Sequence, residues 1–133
     1  MIDNVVLDTN VIISSTFSSK GNPSKIMTMF YEGNLNIIYT EEIFEEYVRV
    51  LGYERLNIAE DIQTDMILAL DVGGTLIDEP EASTITFTDE SDRKFYDAAK
   101  SCNAILITGN TKHYPSEPFV LTPADFISKY ANH

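Results

Sequence analysis

Short runs of apolar residues alternate along this chain with segments whose apolar residues have helical spacing. The runs lie at 5–7, 35–39, 104–107 and 119–121. Runs that are apolar throughout are typical of strands buried on both faces, which occur mainly in parallel sheets covered by helices. Because parallel strands need a crossover between them, the alternation predicts an α/β fold, a three-layer α/β/α sandwich with a mainly parallel sheet.

The helical segments carry residues that mark their ends. Asn22 and Pro23 provide a cap and a first-turn proline for a helix that stops at Gly33. Thr40 is the predicted N-cap of a helix that stops at Gly52. The remaining predicted elements are a helix over 58–70 closed by Gly73 and Gly74, a short apolar stretch at 76–77, a strand-like segment at 84–87, a helix that opens at 89–92 and a closing helix from Pro123.

Length and composition indicate a single domain over residues 1–133. Hydrophobic residues make up 44% of the chain and charged residues 23%, which is typical of a folded globular protein. The single cysteine, Cys102, excludes an intrachain disulfide and a cysteine zinc cluster, so we expect a reducing, cytoplasmic location. The sequence starts without a basic leader and has no apolar run of membrane-spanning length, so we expect no membrane anchor.

The charge balance restricts how this chain can bind nucleic acid. Nine Lys and Arg residues against 21 Asp and Glu residues give a formal net charge of −12. Binding of phosphates by bulk charge depends on cationic residues. Any nucleic-acid role must therefore be local, assisted by a metal ion, or completed by a basic partner.

Polar side chains follow two of the predicted strands at the point where each strand ends. Asp8 and Asn10 follow the first run, and Thr108 and Asn110 follow the run at 104–107. The carboxyl ends of parallel strands share one edge of the sheet, where such folds bind ligands. We therefore expect these four side chains at one edge.

Two further acidic residues reach the same edge if the helices run antiparallel to the strands. Asp92 lies at a helix start, and Glu46 lies six residues after Thr40, which is about 9 Å along a helix. We expect no lysine or arginine among Asp8, Glu46 and Asp92, so their carboxylates would repel one another unless a cation lay between them. Oxygen ligands favour Mg²⁺ or Mn²⁺, which can activate water for phosphodiester hydrolysis.

The repulsion between these carboxylates also leads to a prediction about stability. Because Asp8→Asn or Asp92→Asn would remove one of the negative charges, we expect either variant to leave thermal stability unchanged or higher.

Each acidic residue also has an ordinary structural interpretation. An aspartate after a strand, such as Asp8, often serves as a turn or cap residue. Glu46 belongs to an acidic run, which is usually a solvated helix face, although it borders the apolar side that includes Ile43. Asp89 and Asp92 suit a helix start that favours the helix dipole. The joint placement of these residues at one edge is what favours a site.

Four stretches of the sequence resemble the PIN domain family, in particular the VapC-like toxin ribonucleases of bacterial toxin–antitoxin systems. They lie at 5–14, 40–51, 89–99 and 107–114, and the similarity extends over nearly the whole chain. The resemblance implies metal ligands at Asp8, Glu46 and Asp92, a further catalytic residue at Asn110, and supporting residues at Asn10, Thr108 and Asp89.

Two positions depart from the family's pattern. Ser91 stands where an aspartate is common, which leaves the choice of ligand between Asp89 and Asp92 open. Asn110 stands where many relatives carry aspartate. An amide oxygen can still coordinate an ion or position a water, but one negative charge is lost. We therefore expect one metal ion, or a weakly bound second one.

The resemblance implies an endoribonuclease that depends on Mg²⁺ or Mn²⁺, is restrained by a cognate antitoxin and commonly forms a homodimer. Besides the metal, four residues near the edge are candidates for binding RNA: Arg93, Lys94, Lys112 and His113. A solvated loop position is an equally open interpretation of Lys112. His113 need not act as a base, because the metal can supply one. The acidic balance of the chain favours an antitoxin that contributes basic residues.

Two other functions are compatible with the sequence. Residues 70–78 resemble the haloacid dehalogenase phosphatase signature, but Gly73 replaces the second aspartate, the general acid, so we interpret Gly73 and Gly74 as a helix stop. The other alternative is a non-catalytic PIN-like domain that binds a protein and whose acidic residues hold a structural ion or none. Asn110 gives weight to this second alternative.

Overall fold

A computed structural model of the chain describes residues 2–130, where strands and helices alternate. The strands are β1 (Asp3–Leu7), β2 (Leu35–Tyr39), β3 (Thr75–Leu76), β4 (Ile105–Ile107) and β5 (Val120–Leu121). The α-helices are α1 (Thr9–Phe17), α2 (Asn22–Tyr31), α3 (Glu41–Leu51), α4 (Glu60–Gly73), α5 (Arg93–Ser101) and α6 (Pro123–Tyr130). Among the described residues, none of the helices combines the length and the hydropathy of a membrane span.

The five strands form one parallel sheet with β1 at its centre, in the order β3-β2-β1-β4-β5. The crossovers from β1 to β2 and from β2 to β3 run in one direction, and the return from β3 to β4 runs in the other. Because such crossovers are right-handed, the two directions place helices on opposite faces. Helix α5 packs against β1, β2 and β4, and α2 and α4 pack against β2. The predicted three-layer α/β/α architecture is confirmed.

The central strand is covered on both faces. Val5, Val6 and Leu7 have no exposed surface, as expected for a strand between two helical layers. Helix α3 contributes Ile43, Tyr47 and Leu51, which lie four residues apart and are also fully buried. This packing fixes the carboxyl end of β1, where the polar residues begin.

The helix ends follow the predicted signals with small shifts. Thr40 is the N-cap of α3, and its Oγ1 accepts a hydrogen bond from the backbone N–H of Ile43 over 3.2 Å. The N-cap of α2 is Gly21 instead of Asn22, which is the first helical residue and leaves Pro23 in the first turn. Gly33 follows α2 with a φ of +80°, a left-handed conformation that favours glycine.

The strand-like segment at 84–87 is not a strand. Its backbone is irregular, although Phe87 is buried. The guanidinium of Arg93 donates hydrogen bonds to the carbonyl oxygens of Ser83 and Ile85. A side chain therefore satisfies backbone groups that a neighbouring strand would otherwise pair.

Candidate active site

The pairing register of β1 with β4 brings Asp8 and Thr108 together. Leu7 pairs with Ile107, and the backbone N–H of Asp8 donates to the carbonyl of Ile107 over 2.9 Å. Asp8 and Thr108, the next residues of the two strands, are therefore neighbours at the carboxyl edge of the sheet. Thr108 Oγ1 donates to Asp8 Oδ2 over 2.9 Å, and both side chains are buried.

Asp8 is held by a second hydroxyl group. Tyr114, which is buried, donates from its phenol to the same Oδ2 over 2.8 Å. Burial, together with the nearby charge of Asp8, raises the pKa of the Tyr114 phenol well above its ordinary value, so it stays a proton donor. The other oxygen, Oδ1, accepts only a long bond of 3.4 Å, from the backbone N–H of Asn10. This oxygen of Asp8 thus has capacity for a further ligand.

The supporting residues join the start of α1 to the loop that follows β4. Asn10 Oδ1 accepts from the backbone N–H of Gly109 over 3.1 Å. The backbone N–H of Asn110 donates to Thr108 Oγ1 over 3.1 Å, and its Nδ2 lies 3.0 Å from His113 Nε2. Asn110 and His113 are exposed. Their side chains are therefore accessible from solvent beside Asp8.

Asp92 lies just before α5 and carries an unsatisfied oxygen. Its Oδ2 is closed to solvent and has no hydrogen-bond partner among the residues that the structure describes. His113 Nδ1 lies 3.7 Å from it. Burial raises the pKa of the Asp92 carboxyl, and the charges of Asp8 and Asp89 raise it further. The structure thus brings Asp92 within electrostatic range of Asp8.

Glu46 reaches the same region but is already paired. Its Oε2 accepts a hydrogen bond from Thr9 Oγ1, and its Oε1 lies 2.8 Å from Lys94 Nζ. Both charged side chains are largely buried, with 14% of Glu46 and 10% of Lys94 exposed. Arg49 is a more distant neighbour at 3.7 Å.

The expectation that no lysine or arginine lies among the carboxylates is therefore wrong. Lys94 is in the first turn of α5, and side chains in a helix lean toward its N-terminus. The N-terminus of α5 faces the carboxyl edge of the sheet, so the long stem of Lys94 carries its ammonium group back to Glu46.

The remaining predicted residues have distinct positions. Arg93 binds the loop before α5 and forms a two-oxygen ion pair with Glu90, so its guanidinium is fully engaged. Lys112 is exposed. Asp89 is exposed and accepts from the hydroxyl and backbone N–H of Ser91, which lower the pKa of its carboxyl. Asp89 thus caps the turn before α5, whereas Asp92 keeps a buried oxygen without a partner among the described residues.

The donors fit a divalent ion that keeps part of its water shell. Among residues 2–130, no three His, Cys, Asp or Glu side chains are grouped so that they could hold an ion together. Asp8 and Asp92 each offer a carboxylate oxygen with unused capacity. Mg²⁺ is commonly bound by one or two carboxylates and several waters. These two residues therefore match the requirements of Mg²⁺ or Mn²⁺.

Besides the ion pair of Lys94, three contacts were not predicted from the sequence: those of Thr9, Tyr47 and Tyr114. Tyr47 was expected in the core, and its phenol donates to the carbonyl oxygen of Leu7, at the end of β1. Burial raises its pKa, as do the charges of Asp8 and Glu46. A buried tyrosine needs a hydrogen-bond acceptor, and this requirement was the available signal for Tyr47 and Tyr114.

The phosphatase-like stretch at 70–78 does not form a site of that kind. Asp71 lies within α4 and is exposed, and α4 ends at Gly73. A Cβ on Gly74 would lie 2.6 Å from the carbonyl oxygen of Leu70. Gly74 is therefore required by the close approach at the end of α4, which agrees with a helix stop.

Comparisons with known proteins agree with this fold. The chain is 29% identical over 112 residues to the uncharacterized protein MJ1680 of Methanocaldococcus jannaschii, covering 80% of this chain and 70% of that protein. Its fold is similar to that of PAE2754 from Pyrobaculum aerophilum, with a TM-score of 0.62, 13% identity and coverage of 99% of this chain and 91% of the other.

A second solved structure with a similar fold is VapBC2 from Rickettsia felis bound to a DNA fragment from their promoter. The TM-score is 0.54 at 13% identity, with 90% of this chain and 96% of the other covered. The sequence profile of the PIN domain matches residues 4–112, which include all the residues of the candidate site except His113 and Tyr114. The chain belongs to the PIN domain family.

Proposed function

We propose that this protein is a metal-dependent endoribonuclease that uses Mg²⁺ or Mn²⁺. PIN domains are generally nucleases and typically use divalent metal ions. The observation that carries the proposal is the buried, unpartnered Oδ2 of Asp92, in electrostatic range of Asp8. An unpaired oxygen in this setting is costly unless a cation binds there.

The residues around Asp8 have defined roles in this proposal. Asp8 and Asp92 would hold the ion, which when bound lowers the pKa of a coordinated water and balances charge on the phosphodiester. Thr108 and Tyr114 orient the Asp8 carboxylate through its Oδ2 and leave Oδ1 free for the ion. Asn110, which is exposed beside them, can position a water or a phosphate oxygen through its amide.

RNA binding would be local. Lys112 and His113 are exposed at the carboxyl edge, close to Asn110, and can contact phosphates there. Arg93 and Lys94 are engaged in ion pairs with Glu90 and Glu46, so we assign them to the protein's own structure. A net charge of −12 keeps the rest of the surface unfavourable for RNA.

We further propose that the protein is the toxin of a toxin–antitoxin pair and acts in the cytoplasm as a homodimer. The similarity of its fold to VapBC2 supports a protein partner. The acidic surface favours a basic segment in that partner.

Exposed apolar side chains at Leu68, Val72 and Leu76 support the homodimer, because apolar surface can be buried between two copies of the chain. Co-purification with the product of a neighbouring gene and light scattering would test the partner and the dimer.

RNA cleavage by the purified protein tests the catalytic proposal. We expect cleavage with Mg²⁺ or Mn²⁺, none with EDTA, and a loss of about 100-fold or more in Asp8→Asn and Asp92→Asn. Asp71→Asn is the matched control, because it removes an exposed carboxylate on α4. Cleavage that persists in both site variants would contradict the proposal.

A non-catalytic, protein-binding domain is the second candidate function. It is favoured by the ion pair between Lys94 and Glu46, which removes one carboxylate from competition for a metal, and by the neutral Asn110. Calorimetric titration with Mn²⁺ separates the two functions. Metal binding without RNA cleavage would favour the protein-binding function.

A further inference from the structure

We propose that Lys94 is a permanent cation of the candidate site, held there by Glu46, and that the metal is bound by Asp8 and Asp92 without Glu46. Lys94 is then a positioning residue that sets the number of ions the site takes. This inference rests on the proposed function, and it replaces the ligand role that sequence similarity implies for Glu46.

Both oxygens of Glu46 are used by the protein itself. Thr9 donates to Oε2, and the ammonium of Lys94 lies 2.8 Å from Oε1. With 14% of its side chain exposed, Glu46 has little access to solvent. A metal that recruited this carboxylate would have to compete with a close ion pair that is shielded from water, which is unfavourable.

Lys94 is fixed from several sides. Besides Glu46, its ammonium donates to the carbonyl oxygen of Ser91 and lies 4.9 Å from the centre of the Phe95 ring. Only 10% of the side chain is exposed. Arg49 provides the contrast: it is 59% exposed and 3.7 Å from Glu46, an arrangement that contributes little. The positive charge at Lys94 is thus built into the site.

Asp8 and Asp92 differ from Glu46 in having unused oxygens. Asp8 Oδ1 accepts only a 3.4 Å bond, and Asp92 Oδ2 accepts none among the described residues. The three carboxylates together with the Lys94 ammonium leave two negative charges, which one divalent ion balances. The neutral Asn110 adds no charge for a second ion. The geometry therefore points to one metal ion per chain.

Calorimetric titration of the full chain with Mn²⁺ tests this inference. The variants are Lys94→Met, the double variant Glu46→Gln with Lys94→Met, and Lys100→Met, which removes an exposed charge from the same helix. We expect one Mn²⁺ in the wild type and binding tighter by about tenfold or more in Lys94→Met, because a nearby positive charge is removed. The double variant Glu46→Gln with Lys94→Met, which loses both charges of the ion pair, should bind Mn²⁺ within about threefold of the wild-type affinity. Lys100→Met should also bind Mn²⁺ within about threefold of the wild type.

Thermal unfolding of the metal-free proteins gives a second readout. Lys94→Met alone should unfold at a lower temperature than the double variant, because it leaves Glu46 buried and unpaired. Mn²⁺ should then raise the midpoint of Lys94→Met more than that of the wild type.

The outcomes separate the inference from the function on which it rests. If the wild type binds Mn²⁺ and cleaves RNA but the double variant loses tenfold or more in affinity, Glu46 is a ligand and only the inference fails. Unchanged Mn²⁺ affinity in Lys94→Met also overturns the inference alone. A wild type that neither binds Mn²⁺ nor cleaves RNA overturns the proposed function and the inference together.

Discussion

Asp8 and Asp92 carry the same carboxyl group in two different environments. Asp8 accepts hydrogen bonds from the hydroxyls of Thr108 and Tyr114, both buried. Asp92 has a buried oxygen without a partner in the described part of the chain, and burial raises its pKa. In the metal-free protein the negative charge is therefore supported at Asp8 and opposed at Asp92. The same substitution should have opposite effects at the two positions.

We expect Asp92→Asn to stabilise the metal-free protein at neutral pH. A carboxyl whose folded-state pKa is raised contributes stability below its unfolded-state pKa and loses it as the pH rises through the folded-state value. At pH 7 the charge therefore opposes folding, and asparagine removes it. Thermal unfolding with EDTA from about pH 4 to about pH 8 should show a gap that closes toward acid. A variant midpoint below the wild type at pH 7 would contradict this sign.

We expect Asp8→Asn to lower stability by about 1–3 kcal/mol, because its neutral amide oxygen is a weaker acceptor for the two buried hydroxyls and its NH₂ group would face the backbone N–H of Asn10. This differs from the effect that relief of repulsion alone predicts. Urea unfolding at pH 7 measures the change, with the exposed Asp71→Asn as control. Equal stability of Asp8→Asn and the wild type would show that Thr108 and Tyr114 find other acceptors.

At the scale of elements, the start of α5 joins the candidate site to the loop before it. Three consecutive residues have separate roles: Asp92 carries an unpartnered oxygen in electrostatic range of Asp8, Arg93 binds the loop, and Lys94 pairs with Glu46. The guanidinium of Arg93 also lies 4.9 Å from the centre of the buried Phe87 ring. Movement of this loop would therefore disturb Asp92 through the adjacent residue.

We expect Arg93→Lys to release the loop at residues 78–88. The guanidinium of Arg93 donates hydrogen bonds to Ser83, Ile85 and Glu90 at the same time, which a lysine ammonium cannot do. Loss of these hydrogen bonds should lower the free energy of unfolding by about 1–3 kcal/mol. Limited proteolysis should cut this segment faster than in the wild type. Arg55→Lys makes the same chemical change at an exposed position. Equal cutting of both variants would argue against the role of Arg93.

Most elements could be predicted from local signals, and the exceptions have physical causes. The bounds of β2 and the Thr40 cap agree with the structure because periodicity and capping are local properties. The stretch at 84–87 has strand-like residues, but its backbone partner is the side chain of Arg93. This hydrogen bonding depends on where the Arg93 side chain lies in the folded protein, and the residue pattern at 84–87 carries no information about that.

For the whole molecule, the topology of a parallel sheet allowed the edge to be predicted. Asp8 and Thr108 follow paired strands, so strand order places them at one edge, and the pairing register makes them neighbours. The contact of Lys94 with Glu46 could not be predicted, because it depends on how far the lysine side chain extends. The hydrogen bond from Tyr114 to Asp8 could not be predicted either, because it depends on the path of the loop after β4. Topology thus locates a site, and side-chain packing decides how its charges are balanced.

The net charge of −12 also affects the molecule as a whole. Self-repulsion among 21 acidic residues opposes the compact state and is screened by salt. We expect the unfolding temperature to rise as NaCl increases from about 0.02 M to about 0.5 M. A non-ionic solute at equal osmolality serves as control. A fall in the unfolding temperature would mean that ion pairs such as Arg93 with Glu90 outweigh the repulsion.

The hydroxyls that hold Asp8 are 100 and 106 residues away along the chain, at Thr108 and Tyr114. During translation, a polypeptide that has not yet reached Tyr114 lacks at least one of these donors and cannot complete the hydrogen bonds to Asp8. If the protein cuts RNA, no transcript in the cell is at risk until the ribosome has translated the chain past Tyr114.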